Sequence, residues 1–384
     1  MEETFNRIKN ELVKSTLDAL TIFGGDNIQY LSGAKIPFIH SYPESGVAMI
    51  WLKTSEPSII CPTSWKETFK KLSLVKRYIC YECPEDLLKV VGMETRSSIK
   101  KNARIGVDML RISASKFEEL NKILCDYKLE SCDDFLKKLR SVKTDSEIKL
   151  LENVAYQTDH GIFGTAHHVL VTSNRSEMSL SEEIRVHCME RGLDVIGFNS
   201  VSQVASGEHA RKFWPLAPNY GVGFDKLLRK GEYVRMEAKT SKDGYWSDAA
   251  RLMVMGEPTS QQRSIYEALV ALRNIALSKI RPGVKCCEVY EEIHSEALKQ
   301  KIDLVNEVTL GHGIGVTDFE APYISAWDTT KLEKNMVLVI DLVIKGSDGE
   351  FLRSKDTVAV TDSSCIVIGW YKDWREPYIA NYTL

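Results

Sequence analysis

The chain has 384 residues, an apolar fraction of 43% and a formal net charge of -3 at neutral pH. This length permits two or three domains, and a near-neutral charge without a basic run argues against a nucleic-acid partner. The chain has neither the basic start and apolar run of a signal peptide nor an apolar segment long enough to span a bilayer. We therefore expect a cytoplasmic protein that does not enter a membrane.

The first part of the chain has the pattern of alternating helices and strands. Periodicity predicts an amphipathic helix over residues 5–17 and a strand over 19–23, with a turn at 24–27 between them and the next elements. Further strands are predicted at 47–52, 58–61 and 104–107. We expect a small α/β domain over residues 1–140.

The second part of the chain begins with a helix predicted over residues 150–168, which Thr144 or Asp145 can cap. Helices are also predicted at 181–191 and 261–279, and strands at 233–239, 251–255, 336–344 and 357–361. We expect these elements to form a second domain over residues 141–384.

Two motifs in the second part carry the functional argument. They are Gly244-Tyr245-Trp246-Ser247-Asp248-Ala249-Ala250-Arg251 and Gly311-His312-Gly313-Ile314-Gly315 with Glu320-Ala321-Pro322. Both resemble the motifs of the creatinase, prolidase and aminopeptidase P superfamily, and the resemblance covers nearly the whole chain. It implies an α+β protein in which a smaller creatinase-type α/β domain precedes a pita-bread domain, a curved antiparallel sheet backed by helices.

Five positions of the second domain correspond to the metal ligands of the superfamily's peptidases, which are Asp, Asp, His, Glu and Glu in that order. The resemblance places Glu237, Asp248, His312, Asp341 and Lys355 there. A charged lysine cannot ligate a metal, and its position is that of the carboxylate that bridges a dinuclear site. We therefore expect Lys355 to be a built-in cation and expect no cofactor. One divalent ion held by Asp248, His312, Asp341 and Glu237 is the alternative.

Strand alternation predicts that two cations lie beside these positions. With a period of two, Arg235, Glu237 and Lys239 share one face of their strand. Arg235 and Lys239 are therefore candidates for binding a substrate carboxylate, for which arginine has a suitable fork geometry. The alternative for Lys239 is a solvated side chain at a frayed strand end.

The superfamily's acid/base histidines are altered. The second histidine of the Gly-His-Gly motif corresponds to Phe319, and the histidine that follows a Val-Ala-Ser-Gly turn corresponds to Trp214. His209 is the nearby replacement for proton transfer, with a polar loop residue as the alternative. His312 lies between glycines that permit close backbone approach, so we expect it to line the pocket. Glu320 has either a hydrogen-bonding or a structural role.

The resemblance also implies a homodimer in which the first domain of one chain lends residues to the pocket of the other. Phe38, His40 and Tyr42 are the candidates for this contribution. Together with Trp214, Phe319 and Glu320, they complete the predicted substrate-binding residues.

Three functions are weighed from these observations. The main expectation is a metal-independent hydrolase or lyase that acts at a C–N bond of a small, amino-acid-like carboxylate, with catalytic residues His312, His209, Glu237, Asp248, Asp341 and Lys355. The alternatives are a metal-dependent Xaa-Pro dipeptidase or aminopeptidase with altered ligands, and an inactive pita-bread module that binds a partner. Fold alone does not choose among them.

Overall fold

The computed structural model describes residues 2–34, 46–169, 174–194, 201–211, 225–305, 309–370 and 377–380. The chain divides into two compact units, Met1–Arg140 and Ser141–Leu384. Within the described ranges, the helices are all too short or too polar to cross a membrane.

The first unit combines one mixed sheet with helices. Its described strands are β1 (Ala19–Ile22), β2 (Ala48–Leu52), β3 (Ser58–Pro62), β4 (Arg77–Tyr81), β5 (Arg104–Val107) and β6 (Lys128–Ser131). Its described helices are α1 (Glu2–Lys14), α2 (Gly25–Ser32), α3 (Lys66–Leu72), α4 (Leu87–Ser98), α5 (Ala114–Ile123) and α6 (Asp133–Ser141). The strand order is β4-β3-β2-β1-β5-β6, with β1 central between an antiparallel and a parallel neighbour.

The turn predicted at 24–27 is wrong, because helix α2 begins at Gly25. Gly24 is extended, and its carbonyl accepts the N–H of Ile28 as the first helical bond. Asp26 and Asn27 lie in the first turn, where short polar side chains are as common as they are in turns. The residues that predicted a turn are therefore the first residues of a helix.

Asp108, which directly follows strand β5, accepts hydrogen bonds from the start of helix α2. Its two carboxyl oxygens accept the N–H groups of Phe23 and Gly24 at 2.9 and 2.8 Å, and the amide of Asn27 at 3.0 Å. Burial raises the pKa of Asp108 to about 6 in spite of these hydrogen bonds.

The second unit contains a larger sheet and four described helices. The strands are β7 (Val201–Ser206), β8 (Tyr233–Lys242), β9 (Tyr245–Met255), β10 (Gly311–Gly313), β11 (Glu320–Tyr323), β12 (Val337–Lys345), β13 (Phe351–Val360), β14 (Cys365–Val367) and β15 (Tyr378–Ala380). The helices are α7 (Asp145–Val169), α8 (Glu177–Glu190), α9 (Ser260–Lys279) and α10 (Cys286–Lys299).

The main path of this sheet runs β11-β10-β12-β13-β9-β8-β7, with antiparallel neighbours throughout. One apolar core joins α7 and α8 to β8, and a second joins α9 and α10 to β12 and β13. The predicted α+β architecture, an antiparallel sheet backed by helices, is confirmed.

Alternation along β8 divides its side chains between the core and the opposite face. Val234, Met236 and Ala238 pack in the core with α7 and α8. Arg235 and Glu237 therefore project from the other face, as the period of two predicts.

Strands β9 and β13 begin six residues earlier than predicted, at Tyr245 and Phe351. The charged residues in their first halves interrupt the apolar pattern that identifies strands.

Glycines let β10 approach its neighbours closely. A Cβ atom added at Gly313 would lie 2.3 Å from the carbonyl oxygen of Ala321, and one at Gly311 would lie 2.5 Å from that of Val339. Both contacts are to backbone, which has little freedom to move away. Only glycine fits on either side of His312.

Candidate functional site

Four strands of the second sheet align three of the five predicted ligand positions in one row. Asp341 on β12 is the register partner of Lys355 on β13. Lys355 is in turn the partner of Ala250 on β9, and Ala250 is the partner of Glu237 on β8. The small side chain of Ala250 leaves room between Lys355 and Glu237. Residues far apart in the chain therefore meet through strand register.

Lys355 lies at the centre of this arrangement. Its Nζ atom is 2.8 Å from both carboxyl oxygens of Asp248, 3.6 Å from Glu237 Oε2 and 3.9 Å from Asp341 Oδ2. The lysine side chain is 3% exposed. Its ammonium group therefore contacts all three carboxylates predicted for the site.

Arg353 is a member of the site that the sequence analysis missed. Its Nε and Nη2 atoms bind the two oxygens of Asp341 at 2.7 and 2.5 Å, and its Nη1 atom donates to Glu237 Oε2 at 3.0 Å. Arg353 lies two residues before Lys355 and on the same face of β13, but the predicted strand begins only at residue 357, so strand alternation does not extend to it.

The two predicted substrate-binding cations have different surroundings. Arg235 is 1% exposed, with Nε 3.0 Å from Glu237 Oε1 and Nη1 donating to the carbonyl of Phe351. Lys239 is 24% exposed and lies 3.0 Å from Asp318 and 3.6 Å from Asp248. The geometry favours Lys239 for a substrate contact, because Arg235 supports Glu237 from inside the protein.

These side chains form one network, here called the charge cluster. Its cations are Arg235, Lys239, Arg353 and Lys355, and its carboxylates are Glu237, Asp248, Asp318 and Asp341. The four positive and four negative charges balance. Such balance is what permits ionised groups to remain buried.

The cations keep the buried carboxylates ionised. Burial raises the pKa of Asp248, but Lys355 and Lys239 outweigh it and hold that pKa well below its ordinary value. In the same way, Arg353 and Lys355 lower the pKa of Glu237 and of Asp341 against the effect of burial.

His312 faces the charge cluster as a neutral imidazole. It is 2% exposed, and its Nδ1 atom lies 2.9 Å from the carbonyl oxygen of Gly313, to which an Nδ1–H donates. Nε2 is then the unprotonated nitrogen, 3.8 Å from Asp248 Oδ2. Burial lowers the pKa of His312 in spite of the nearby carboxylate.

His209 lies in the 3-10 turn Gly207–Arg211 beside a different partner. Its Nδ1 atom is 2.7 Å from Glu177 Oε2, and Glu177 is fully buried. The other oxygen of Glu177 accepts from the backbone N–H and the hydroxyl of Ser206. An acid/base role for His209 stays a prediction.

Glu320 and Phe319 flank the site in different ways. Lys143 and Thr317 donate to the two oxygens of Glu320 at 3.1 and 3.0 Å, which favours the structural role among its two alternatives. Phe319 is 47% exposed, and its ring centroid lies 4.4 Å from that of His312. Phe38, His40, Tyr42 and Trp214 lie outside the described residues.

The described residues do not fit a divalent metal ion as they are arranged. An ion near Asp248 would meet the Lys355 ammonium, which already contacts both oxygens of that carboxylate. Arg353 likewise binds both oxygens of Asp341. Over the described part of the chain, no group of three or more His, Cys, Asp and Glu side chains could hold a metal.

Comparisons with known proteins identify the two parts of the chain. Residues 153–362, more than half of the chain, match metallopeptidase family M24, and residues 5–142 match the creatinase/prolidase N-terminal domain. The predicted superfamily is thereby confirmed.

Similar curated proteins cover nearly the full length. An Xaa-Pro dipeptidase of Pyrococcus horikoshii is 23% identical over 361 residues, which are 94% of this chain and 95% of that protein. An uncharacterized peptidase of Bacillus subtilis is 25% identical over 93% of this chain and 95% of its own length.

Solved structures show the same fold. An X-Pro aminopeptidase from Thermotoga maritima has a TM-score of 0.82 at 19% identity, with 98% of this chain and 99% of that chain covered. The prolidase from Pyrococcus horikoshii has a TM-score of 0.79 at 21% identity, with 96% and 99% covered. At these identities, the likeness establishes the pita-bread architecture alone.

Two expectations from the sequence are corrected by these findings. The matching family is described as metallopeptidases and its relatives here as Xaa-Pro dipeptidases. The expectations of a metal-independent enzyme and of no cofactor are therefore wrong. The comparisons agree better with the alternative, a metal-dependent Xaa-Pro dipeptidase.

Proposed function

The chain belongs to metallopeptidase family M24, and from this membership we propose that it hydrolyses Xaa-Pro dipeptides or similar short peptides in a metal-dependent manner. The family is one of hydrolases that cleave C–N bonds. The observation that supports the proposal is the match of residues 153–362 to a family of metallopeptidases, and Glu237, Asp248, His312 and Asp341, which correspond to ligand positions of that family, lie together near Lys355. Similarity to Xaa-Pro dipeptidases over 94% of the chain agrees with it.

The chain's own residues offer three contributions to such a reaction. The neutral His312 presents an unprotonated Nε2, which can accept a proton or a hydrogen bond at the site. Lys239 is the partly exposed cation that can bind a substrate carboxylate. The third contribution is structural, since Lys143 and Thr317 fix the orientation of Glu320.

An assay of dipeptide cleavage tests the proposal. Protein freed of metal by a chelator is supplied with manganese, cobalt or zinc in turn, and release of proline from Ala-Pro is measured. We expect release only with a metal, none from the reversed dipeptide Pro-Ala, and none from His312→Ala. Absence of proline release under every metal would overturn the proposal.

A second candidate is a family member that binds its peptide without cleaving it. The observation that favours it is the pairing of Asp248 with Lys355 and of Asp341 with Arg353, which leaves these carboxylates engaged. Binding of Ala-Pro measured by calorimetry, with no turnover under any metal, would support this candidate.

We also propose a cytoplasmic location and a homodimer, as the superfamily resemblance implies. Sedimentation equilibrium of the purified chain tests the dimer. A single species of monomer mass at micromolar concentration would contradict it.

A further inference from the structure

Three aromatic side chains continue outward from His312, and we call them the aromatic ladder: Phe319, Tyr323 and Trp327. The centroid distances are 4.4 Å from His312 to Phe319, 5.4 Å from Phe319 to Tyr323 and 5.4 Å from Tyr323 to Trp327. These spacings lie within the range of favourable ring contacts. The ladder therefore connects the buried end of the candidate site with the protein surface.

Two of the three side chains of the ladder are exposed to solvent. Phe319 is 47% exposed and Trp327 is 61% exposed, whereas His312 is 2% exposed. Single exposed apolar residues are common, but a contiguous series of exposed rings that begins at a candidate site is characteristic of a binding surface.

The outer part of the ladder is held in place before any ligand arrives. Asp328 is 6% exposed, and its two oxygens accept the backbone N–H groups of Tyr323 and Thr330 at 2.7 and 2.9 Å. These bonds fix the turn that carries Trp327 beside Tyr323. A preorganised surface loses little entropy on binding.

Opposite charges adjoin the inner end of the ladder. Asp318 precedes Phe319 in the chain and binds Lys239 at 3.0 Å, and the two side chains are 22% and 24% exposed. One cation and one carboxylate at the accessible edge of the charge cluster complement the two charged ends of a short peptide.

We propose that the aromatic ladder binds an apolar, ring-bearing side chain of a short peptide whose charged ends lie at Lys239 and Asp318. This inference rests on the proposed function and specifies its substrate class as dipeptides with an aromatic first residue. A ring contact contributes enough to strengthen binding by about three- to tenfold over a methyl side chain.

Calorimetric titration with Phe-Pro and Ala-Pro tests the ladder. The dipeptides are compared on the parent, Phe319→Leu and Trp327→Leu, in chelator and again in manganese. Leucine keeps apolar bulk but removes the ring. Trp370→Leu is the matched control, because Trp370 is 40% exposed and packs on His160, outside the ladder.

We expect the parent and the control to prefer Phe-Pro by about three- to tenfold, and Phe319→Leu to lose most of this preference. Equal affinity of the parent for both dipeptides would overturn the ladder inference while leaving the proposed function intact. Failure of both dipeptides to bind would overturn both. A change of oligomeric state in Trp327→Leu, with unchanged preference, would identify the ladder as a face between copies and also overturn the inference.

Discussion

Lys355 determines how the three central carboxylates are neutralised. Its ammonium lies 2.8 Å from both oxygens of Asp248 and within 4 Å of Glu237 and Asp341. A cation bound at this point from solution would have to displace it. The first prediction therefore concerns the charge of this one side chain.

Lys355→Glu should increase affinity for divalent metal. A unit charge at about 4 Å is worth about 4 kcal/mol at an effective dielectric constant of 20, so a gain of at least roughly tenfold is expected. Bound metal should also raise the melting temperature of this variant, because it would neutralise a carboxylate-rich site. Calorimetry and thermal unfolding with manganese measure both effects.

Lys355→Met is the control for the new carboxylate, since it removes the positive charge without adding a ligand. Its metal affinity should lie between those of the parent and Lys355→Glu. Equal affinity in all three proteins would show that Lys355 does not control access to the carboxylates.

Asp108 gives the first unit a pH-dependent stability. Its pKa is about 6 in the folded protein because burial disfavours its charge, against 3.8 ordinarily. The folded state therefore keeps a proton that the unfolded state releases between these values. The contribution of Asp108 to the free energy of unfolding is greatest below pH 3.8. It decreases by on the order of 3 kcal/mol as the pH rises from 3.8 to about 6.

Asp108→Asn should remove this dependence between pH 4 and pH 6.5. The variant is expected to be less stable overall, because the amide places an NH2 donor where one of the two oxygens accepts the backbone N–H of Phe23 or Gly24. Urea unfolding across the pH range measures the slope. Asp26 titrates below pH 3.8, since its pKa is lowered, and does not disturb the window. An unchanged slope in the variant would refute this assignment.

At the scale of elements, β13 supplies two of the three buried cations that face the carboxylates, and β8 supplies the third, Arg235. Leu352 and Val358 pack in the core with α9 and α10, so alternation sends Arg353 and Lys355 to the opposite face. The neighbouring strand β12 places Asp341 in register with Lys355. Two strands therefore supply three of the eight members of the charge cluster.

Arg353→Leu should destabilise the protein by about 3–5 kcal/mol, because it leaves Asp341 and Glu237 buried with fewer partners. Arg104→Leu is the matched control. It breaks an arginine–glutamate pair whose side chains are 45% and 35% exposed, so it should cost at most about 1 kcal/mol. Urea unfolding compares the two. Similar losses for both variants would mean that burial does not make the Arg353 contacts costly to break.

The sequence predicted the long apolar elements, because periodicity is a local signal, and the motif resemblance singled out Glu237, Asp248 and Asp341, which the structure brings close to Lys355. It missed Arg353 because the charged half of β13 lacks the apolar pattern that marks a strand. It also could not show that Arg235 is fully enclosed, since enclosure depends on Phe351 and other residues distant in the chain.

At the scale of the molecule, the segment just after residue 140 belongs to the second unit. Val142 forms a bridge with Met336, and the buried Lys143 donates to Glu320 at 3.1 Å. These contacts anchor the start of the unit to its sheet. The predicted domain boundary between 140 and 141 stays a prediction, and it can be tested with fragments.

A fragment of residues 141–384 should unfold cooperatively in urea, and one that begins at 145 should be less stable by about 1–3 kcal/mol through loss of the contact to Glu320. Lys143→Met in the full chain is the control and should lower stability by a similar amount. Equal stability of the two fragments would place the boundary after Lys143.

The balanced charges of the cluster also restrict which substitutions the sheet can accept. Replacing one of the buried members leaves an unbalanced charge in a water-poor setting, whereas replacing a cation together with its carboxylate restores neutrality. Double-mutant cycles within the cluster should therefore deviate strongly from additivity. Changing the residues of the charge cluster therefore requires coordinated substitutions. A single substitution lowers the stability of the protein, even where the final combination of residues folds well.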